Sequence, residues 1–266
     1  MTPSNGRALR RFRSLEDDLV IEGENLEVLP TLPDGAFDLI YIDPPFNTGR
    51  DQVRGERRYS DSVEDYPAFL RPRLEHARRL LAEHGTLYVH LDPREAHYVK
   101  VMLDGLFGRE CFLNEIIWAY DYGARTKRRW PPKHDTILVY VRDPKRYWFD
   151  VEAVEREPYM APGLQKDKDR VARGKTPTSV WWHTIVPTTG REKTGYPTQK
   201  PEGVVRRIVA ASSRPGGWCL DFFAGSGTLG AVCADLGRHY VLVDSNPEAI
   251  SIARARLAAR PGASAL

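Results

Sequence analysis

Two apolar runs, far apart in the chain and each closed by a distinctive turn, constrain the fold more than any other feature. Leu39-Ile40-Tyr41-Ile42 leads into Asp43-Pro44-Pro45-Phe46, and Trp218-Cys219-Leu220 leads into Asp221-Phe222-Phe223-Ala224-Gly225-Ser226-Gly227. Short continuous apolar runs of this kind fit strands buried on both faces of a parallel sheet. In an open α/β sheet, ligands bind outside the carboxyl ends of such strands. The first turn offers a carboxylate, two proline-linked carbonyls and an aromatic face. The second offers a tight glycine turn.

The intervening pattern supports α/β alternation. Asp18 to Gly23 reads as a short strand, Asn25 to Leu32 as a brief helix and Phe37 to Asp43 as a strand. Asn47 to Ser60 is polar, charged and without periodicity, and is expected to be a mobile loop. Leu70, Leu74, Ala77, Leu80 and Leu81 recur at helical spacing, with Gly85 placed to end that helix. Strands are expected at Thr86–Leu91, Glu115–Tyr120 and Thr136–Val141, and a helix over about 95–107. From about 143 to 196 the alternation breaks down in a stretch rich in Pro, Gly, Lys and Arg. It then resumes: a helix with Val204, Val205, Ile208 and Val209 on one face, a strand at 218–223, a helix from Gly227, a strand at Tyr240–Asp244 and a helix from Pro247, a proline suited to a first turn. The pattern predicts a doubly wound α/β domain with one insert: 1–143, then the insert 144–195, then 196–266.

With 266 residues, 41% of them apolar, the chain can bury a sizeable core. No run is long enough to span a membrane, and the polar, arginine-bearing N-terminus does not read as a secretory signal; a cytoplasmic protein is expected. Cys111, Cys219 and Cys233 lack metal-ligand spacing and read as reduced core thiols. No His/Cys/Asp constellation predicts a metal, and His90, His97 and His134 read as satisfied structural histidines. Net charge of +3 is too near neutral to argue for a polyanion partner. Its distribution says more. Arg7, Arg10, Arg11 and Arg13 cluster at the start. Arg125, Lys127, Arg128, Arg129 and Lys133 cluster among Trp118, Tyr120, Tyr122 and Trp130, a mixture suited to phosphates and bases together.

Gly225-Ser226-Gly227-Thr228-Leu229-Gly230 matches a dinucleotide fingerprint, with Asp244 where a ribose-binding acid belongs. A nicotinamide enzyme is one reading. Position argues against it, because too little chain follows to complete a dinucleotide sheet, so the strands must be assembled in permuted order. Asp221 beside the turn would repel a pyrophosphate but suit an ammonium. S-adenosylmethionine fits: ammonium toward Asp221, carboxylate near the N–H groups of the helix start, ribose toward Asp244. At Asp43-Pro44-Pro45-Phe46 the chemistry points to an exocyclic amine of adenine or cytosine. Its lone pair is delocalised into the ring, and two acceptors on its N–H bonds draw density back to nitrogen. The Asp43 carboxylate can take one and the Pro44 carbonyl the other, while the prolines stiffen the turn and Phe46 stacks on the base. Such preorganised groups act chiefly by electrostatics and alignment.

At these residues the chain resembles the DNA amino-methyltransferases, specifically their beta class. Asp43-Pro44-Pro45-Phe46 resembles the catalytic motif, Asp221 to Thr228 (with Phe222, Phe223, Gly225, Ser226 and Gly227) the cofactor motif, and Thr198-Gln199-Lys200-Pro201 the cofactor-side motif preceding it. Gly23-Glu24-Asn25 resembles the acidic turn that contacts the cofactor's adenosine. Asp244 sits at the ribose-acid position, with Asn246 just after it among the expected cofactor contacts. The resemblance implies a Rossmann-like methyltransferase sheet in permuted order, with a small target-recognition insert. It implies S-adenosylmethionine as cofactor, double-stranded DNA as substrate, and a homodimer as an allowed assembly. N6 of adenine is the expected target because aspartate at position 43 usually accompanies it in the family; N4 of cytosine is the alternative, and a catalytically silent DNA-binding protein a remoter one. The target base must leave the stack. The loop after Phe46 and the 121–133 loop are expected to close on the flipped strand. Arg125, Lys127, Arg128, Arg129 and Lys133 would hold phosphates, and Trp118 or Tyr122 would line the base pocket. Trp181-Trp182-His183 is read as packing.

Overall fold

The computed structural model describes residues 14–47, 63–123, 125–187, 189–190 and 192–260, and the backbone alone of 52–54 and 57–59. In chain order the elements are β1 (Leu19–Glu22), α1 (Asn25–Val28), β2 (Phe37–Ile42), β3 (Gln52–Arg54), β4 (Arg57–Tyr59), α2 (Tyr66–Leu80), β5 (Leu81–Leu91), α3 (Pro93–Phe107), β6 (Phe112–Ala119), β7 (His134–Val141), α4 (Lys168–Arg173), β8 (Val180–Trp182), α5 (Glu202–Ser212), β9 (Trp218–Asp221), α6 (Thr228–Leu236), β10 (His239–Asp244) and α7 (Pro247–Ala258). Short polar side chains followed by proline start several helices. The carboxylate of Asp65 accepts from the Ala68 N–H at α2, that of Asp92 from Arg94 at α3, and the side-chain oxygen of Asn246 from Glu248 at α7. Each satisfies an orphan amide of a first turn, and proline there sacrifices no bond.

Eight strands form one sheet in the order β1-β10-β9-β2-β5-β7-β6-β8. The first five run parallel, β7 runs antiparallel to both β5 and β6, and β8 is parallel to β6. Alternate residues of β2 supply opposite faces. Ile40 and Ile42 pack with Leu70, Leu74 and Leu80 of α2 and Val99 and Leu103 of α3, whereas Leu39 and Tyr41 pack with Val205 and Ile208 of α5 and Leu229 and Val232 of α6. Covering both faces is what lets β2 be apolar from Leu39 to Ile42. The expected doubly wound, permuted sheet is therefore present, with an antiparallel strand near one edge.

Three local expectations need revision. Helix α2 ends at Leu80, and the chain passes directly into β5. Gly85 lies inside that strand, where a Cβ would come 2.7 Å from the Phe37 carbonyl oxygen; the glycine permits close backbone approach instead of capping a helix. The side chains of 48–62 lie outside the described residues, but backbone within this expected loop pairs as the antiparallel hairpin β3–β4. The Arg7–Arg13 cluster also lies outside the described residues. Within 144–195, Glu157 and Lys175 exchange backbone hydrogen bonds, and β8 lengthens the main sheet, setting Trp181 beside Trp118. Trp181 is buried but Trp182 is 74% exposed, so packing accounts for only the first of the pair. Cys111, Cys219 and Cys233 are buried free thiols. Among the described residues, no helix is long and apolar enough to cross a membrane, and no acidic, His or Cys group has the arrangement of a metal site.

Candidate active site

The two turns of the sequence meet because β9 and β2 are neighbours: Leu39 registers with Cys219 and Ile40 with Leu220. Asp43 leaves the tip of β2 and Asp221 closes β9, so residues 178 positions apart share one crevice at the point where the strand order reverses. Asp43 Oδ2 accepts from Lys200 Nζ at 2.5 Å, with the two side chains 15% and 12% exposed. The other oxygen, Oδ1, is buried and has no hydrogen-bond partner among the described residues. A buried acceptor left unmade costs about 1–3 kcal/mol, so an arriving N–H donor would be favoured there. Lys200 Nζ also lies 4.5 Å from the centre of the Phe46 ring. Pro44 is buried, and Pro45 and Phe46 are partly exposed at the crevice.

Beneath Phe46 lies a polar chain that the sequence did not reveal. The fully buried His90 packs its ring 5.8 Å from that of Phe46. Its Nδ1 meets the Tyr41 hydroxyl at 2.9 Å and its Nε2 meets Asp135 Oδ2 at 3.0 Å, while the Tyr120 hydroxyl donates to Asp135 Oδ1 at 2.9 Å. Burial pushes the Asp135 carboxyl up, but its bond to His90, aided by Lys200 and Tyr120, holds it below the ordinary value. Burial, then the charges of Asp43, Asp221 and Asp135, push the Tyr41 phenol well up, so this hydroxyl stays protonated. His90 is a satisfied structural histidine, as expected, and it also braces the Phe46 ring from below.

At the glycine turn, Gly225 and Gly227 adopt φ of 49° and 71°, conformations costly for other residues. The Gly225 N–H donates to Asp244 Oδ2 at 2.8 Å, and the Asn246 N–H donates to Asp244 Oδ1 at 2.9 Å. Asp244 thus holds the turn. Asn246 caps α7, a role that accounts for it without a cofactor. Arg256, buried and missed in the sequence, donates from Nη1 to the Ser226 carbonyl, to Ser226 Oγ and to Thr228 Oγ1 at 2.9 Å, and from Nη2 to Glu202 at 2.7 Å. Ser226 and Thr228 therefore shape the turn from inside. The Phe222 side chain belongs to the core, and its carbonyl accepts from Asn25 Nδ2.

Asp221 is buried, and its one hydrogen bond among the described residues comes from the Phe223 N–H at 2.9 Å. Burial, reinforced by Asp43 and Asp244, pushes its carboxyl well above the ordinary value. Burial also raises Asp244. Buried carboxylates without a paired cation suit a cationic ligand, which is the fit expected for the ammonium of S-adenosylmethionine. Glu24, expected to contact the adenosine, pairs with Arg73 at 2.8 Å. The guanidinium of Arg73 also bonds Asn25 and stacks 3.9 Å from the Phe69 ring centre, next to Phe223. Thr198 is exposed at the rim.

Two residues are placed differently from expectation. Lys200, expected on the cofactor, has its ammonium on Asp43, because the backbone before α5 runs past the tip of β2. Trp118, expected to face nucleic acid, is 2% exposed, with its indole N–H donating to the His183 carbonyl at 2.7 Å and its ring against His90. Strand β6 is flanked on both sides, and alternation turns Trp118 inward beside Trp181. Tyr122, Arg125, Lys127, Arg128 and Arg129 are all exposed on the β6–β7 loop, with Trp130 92% exposed among them; Lys133 closes the loop base by pairing with Asp121. Strand β6 runs parallel to β5, so this loop leaves the sheet on the same side as Asp43.

A glycine turn and a carboxylate-led aromatic turn thus stand on adjacent strand tips of a Rossmann-like sheet. The DNA methylase family model for the N6/N4 type matches residues 37–255; the chain belongs to this family, whose members are S-adenosylmethionine-dependent DNA methyltransferases. It is 32% identical over 241 residues to the Type II methyltransferase M.HpaI of Haemophilus parainfluenzae, covering 91% of this chain and 74% of that protein. It is 30% identical over 251 residues to the DNA adenine methyltransferase YhdJ of Escherichia coli (strain K12), covering 91% and 83%. Among solved structures, the cytosine-N4-specific PvuII DNA methyltransferase matches with a TM-score of 0.69 at 15% identity, over 91% of this chain and 87% of that one. The M1.HpyAVI–SAM complex matches at 0.63 and 20% identity, over 90% and 98%. At these identities the two structures speak for the fold. The family match sets aside the nicotinamide reading of the glycine motif.

Proposed function

We propose that the protein methylates the N6 amino group of adenine in double-stranded DNA, on a base turned out of the helix. The observation that carries this reading is the buried, unpartnered Oδ1 of Asp43 beside Phe46 at the crevice. Asp43 Oδ1 accepts one N–H of the amine and the Pro44 carbonyl the other, localising the nitrogen lone pair, while Phe46 stacks on the ring, braced by His90. S-adenosylmethionine, when bound, supplies the electrophilic methyl group. Asp221 holds its ammonium, the turn from Phe223 to Thr228 lies along its amino-acid part, and Glu24 and Asp244 face the nucleoside. Thr198 lies at the rim of the same site. Arg125, Lys127, Arg128 and Arg129 meet phosphates, with Tyr122 nearer the displaced base. Their contacts offset the few kcal/mol that flipping costs. Residues 144–195 carry target recognition, between catalytic parts 1–143 and 196–266. On this reading the enzyme is cytoplasmic, associated with the nucleoid when bound to DNA.

Aspartate at position 43 and the 30% identity to an adenine methyltransferase support N6. The test is to incubate the protein with unmethylated genomic DNA and isotopically labelled S-adenosylmethionine, digest to nucleosides and identify the product by mass. N6-methyl-2′-deoxyadenosine is expected. Label in N4-methylcytosine instead would reassign the base, and DNA without label would remove the activity.

A further inference from the structure

We propose that Lys200 is a positioning residue for Asp43: by taking Oδ2 it leaves Oδ1 as the one carboxylate oxygen presented to the target amine, beside the Pro44 carbonyl. This assignment rests on the methyltransferase reading of Asp43.

The two oxygens of a free carboxylate are interchangeable, because its terminal torsion is broad and two-fold. Here they are not equivalent. Oδ2 carries the charge-assisted bond from Lys200, and Oδ1 is buried and vacant of protein donors among the described residues. The same ammonium sits over the Phe46 ring, so one side chain references both groups expected to grip the base. Lys200 is itself held at both ends. Its carbonyl accepts from Thr228 Oγ1 at 3.3 Å, and α5 begins two residues on at Glu202, which Arg256 clamps together with Thr228. Thr228 belongs to the cofactor turn. The chain Thr228–Lys200–Asp43 thus fixes the acceptor relative to the turn that holds the methyl donor. A partly buried ion pair is a weak source of net stability; what this one contributes is orientation, and misplacement by about 1 Å can cost on the order of 10²-fold in rate.

The test is a double-mutant cycle of Lys200→Met and Asp43→Asn, with kcat measured at saturating substrates and the cofactor and DNA dissociation constants measured separately by calorimetry and anisotropy. Lys200→Met is expected to lower kcat by about 10²-fold. Both dissociation constants should stay within about twofold, and in the Asp43→Asn background the same substitution should change kcat by no more than about twofold. Three results would overturn the assignment: undiminished kcat in Lys200→Met, a loss confined to cofactor affinity, or a full loss repeated in the Asp43→Asn background. Should Lys200→Met melt well below the wild type, Lys200→Gln, which keeps a polar donor in the crevice, carries the same comparison. A wild-type protein that leaves DNA unmethylated removes the functional reading and this assignment with it. An active wild type with an equally active Lys200→Met removes this assignment alone.

Discussion

At the scale of single residues, Asp221 gives a pH signature. Its carboxyl is raised above the ordinary 3.8 by burial, and pairing with an ammonium requires the ionised form. Proton and cofactor therefore compete. Affinity for S-adenosylmethionine should begin to weaken while pH is still above the ordinary carboxylate range, then fall by up to about tenfold per pH unit, the limit for one linked proton. Asp221→Asn should bind more weakly at neutral pH and lose the slope, as isothermal titration across pH would report. Asp43, Phe46, Asp221 and the glycines were legible in the sequence because each motif is contiguous and sits where an apolar run stops. Lys200, His90, Asp135 and Arg256 were not, since their roles come from partners 157, 49, 45 and 30 residues away. Trp118 was misread for a related reason: aromatic and basic residues adjacent in sequence were split between core and loop by the alternation of a strand.

At the scale of elements, the strand–turn–helix unit from β9 to α6 is rigid by construction. A Cβ on Gly227 would lie 2.8 Å from Ala253 Cβ on α7 and would occupy a left-handed backbone conformation. Gly227→Ala should therefore destabilise by about 2–4 kcal/mol, combining left-handed strain with overpacking, and weaken cofactor binding; denaturant unfolding and calorimetry measure the two. The β6–β7 loop behaves differently, because its cations are exposed and its value lies in long-range charge. Replacing Arg125, Arg128 and Arg129 by glutamine should reduce the slope of log Kd for DNA against log salt by about 0.9 for each phosphate no longer neutralised. An unchanged slope would take the loop out of the interface. Most elements were readable from periodicity. Residues 81–85 were not, because a helix running straight into a strand leaves no break in the apolar pattern, and Gly85 serves a close approach to β2 that no local motif encodes.

For the whole molecule, one ion-pair cluster joins β2 and β5 to the segment just before β9. Asp38, buried at the start of β2, accepts from Arg214 Nε at 2.8 Å and Nη2 at 3.0 Å just before β9, and meets His84 Nε2 at 2.9 Å. Burial pushes the Asp38 carboxyl up, but Arg214 and His84 more than offset this and its pKa ends below 3.8. A depressed folded-state pKa gives stability that is present above 3.8 and lost as pH falls through the folded value. Asp38→Asn should cost about 1–3 kcal/mol at neutral pH, and the penalty should shrink in acid, as urea titrations at pH 7 and pH 3 would show. The permuted sheet was legible from motif order alone. The antiparallel β7 and the attachment of β8 to the sheet edge were not, because strand direction depends on connections that composition does not specify.

The strand order has a consequence for how the protein is made. β1 and β2 are consecutive in sequence, yet β10 and β9 lie between them. A ribosome therefore releases the two flanks first and the centrepiece last, so β1 has no neighbour to dock against until β10 emerges. Such distant pairings slow folding, and a growing chain halted before Trp218 would carry its Asp43-Pro44-Pro45-Phe46 turn on a bare sheet edge, with no glycine turn alongside.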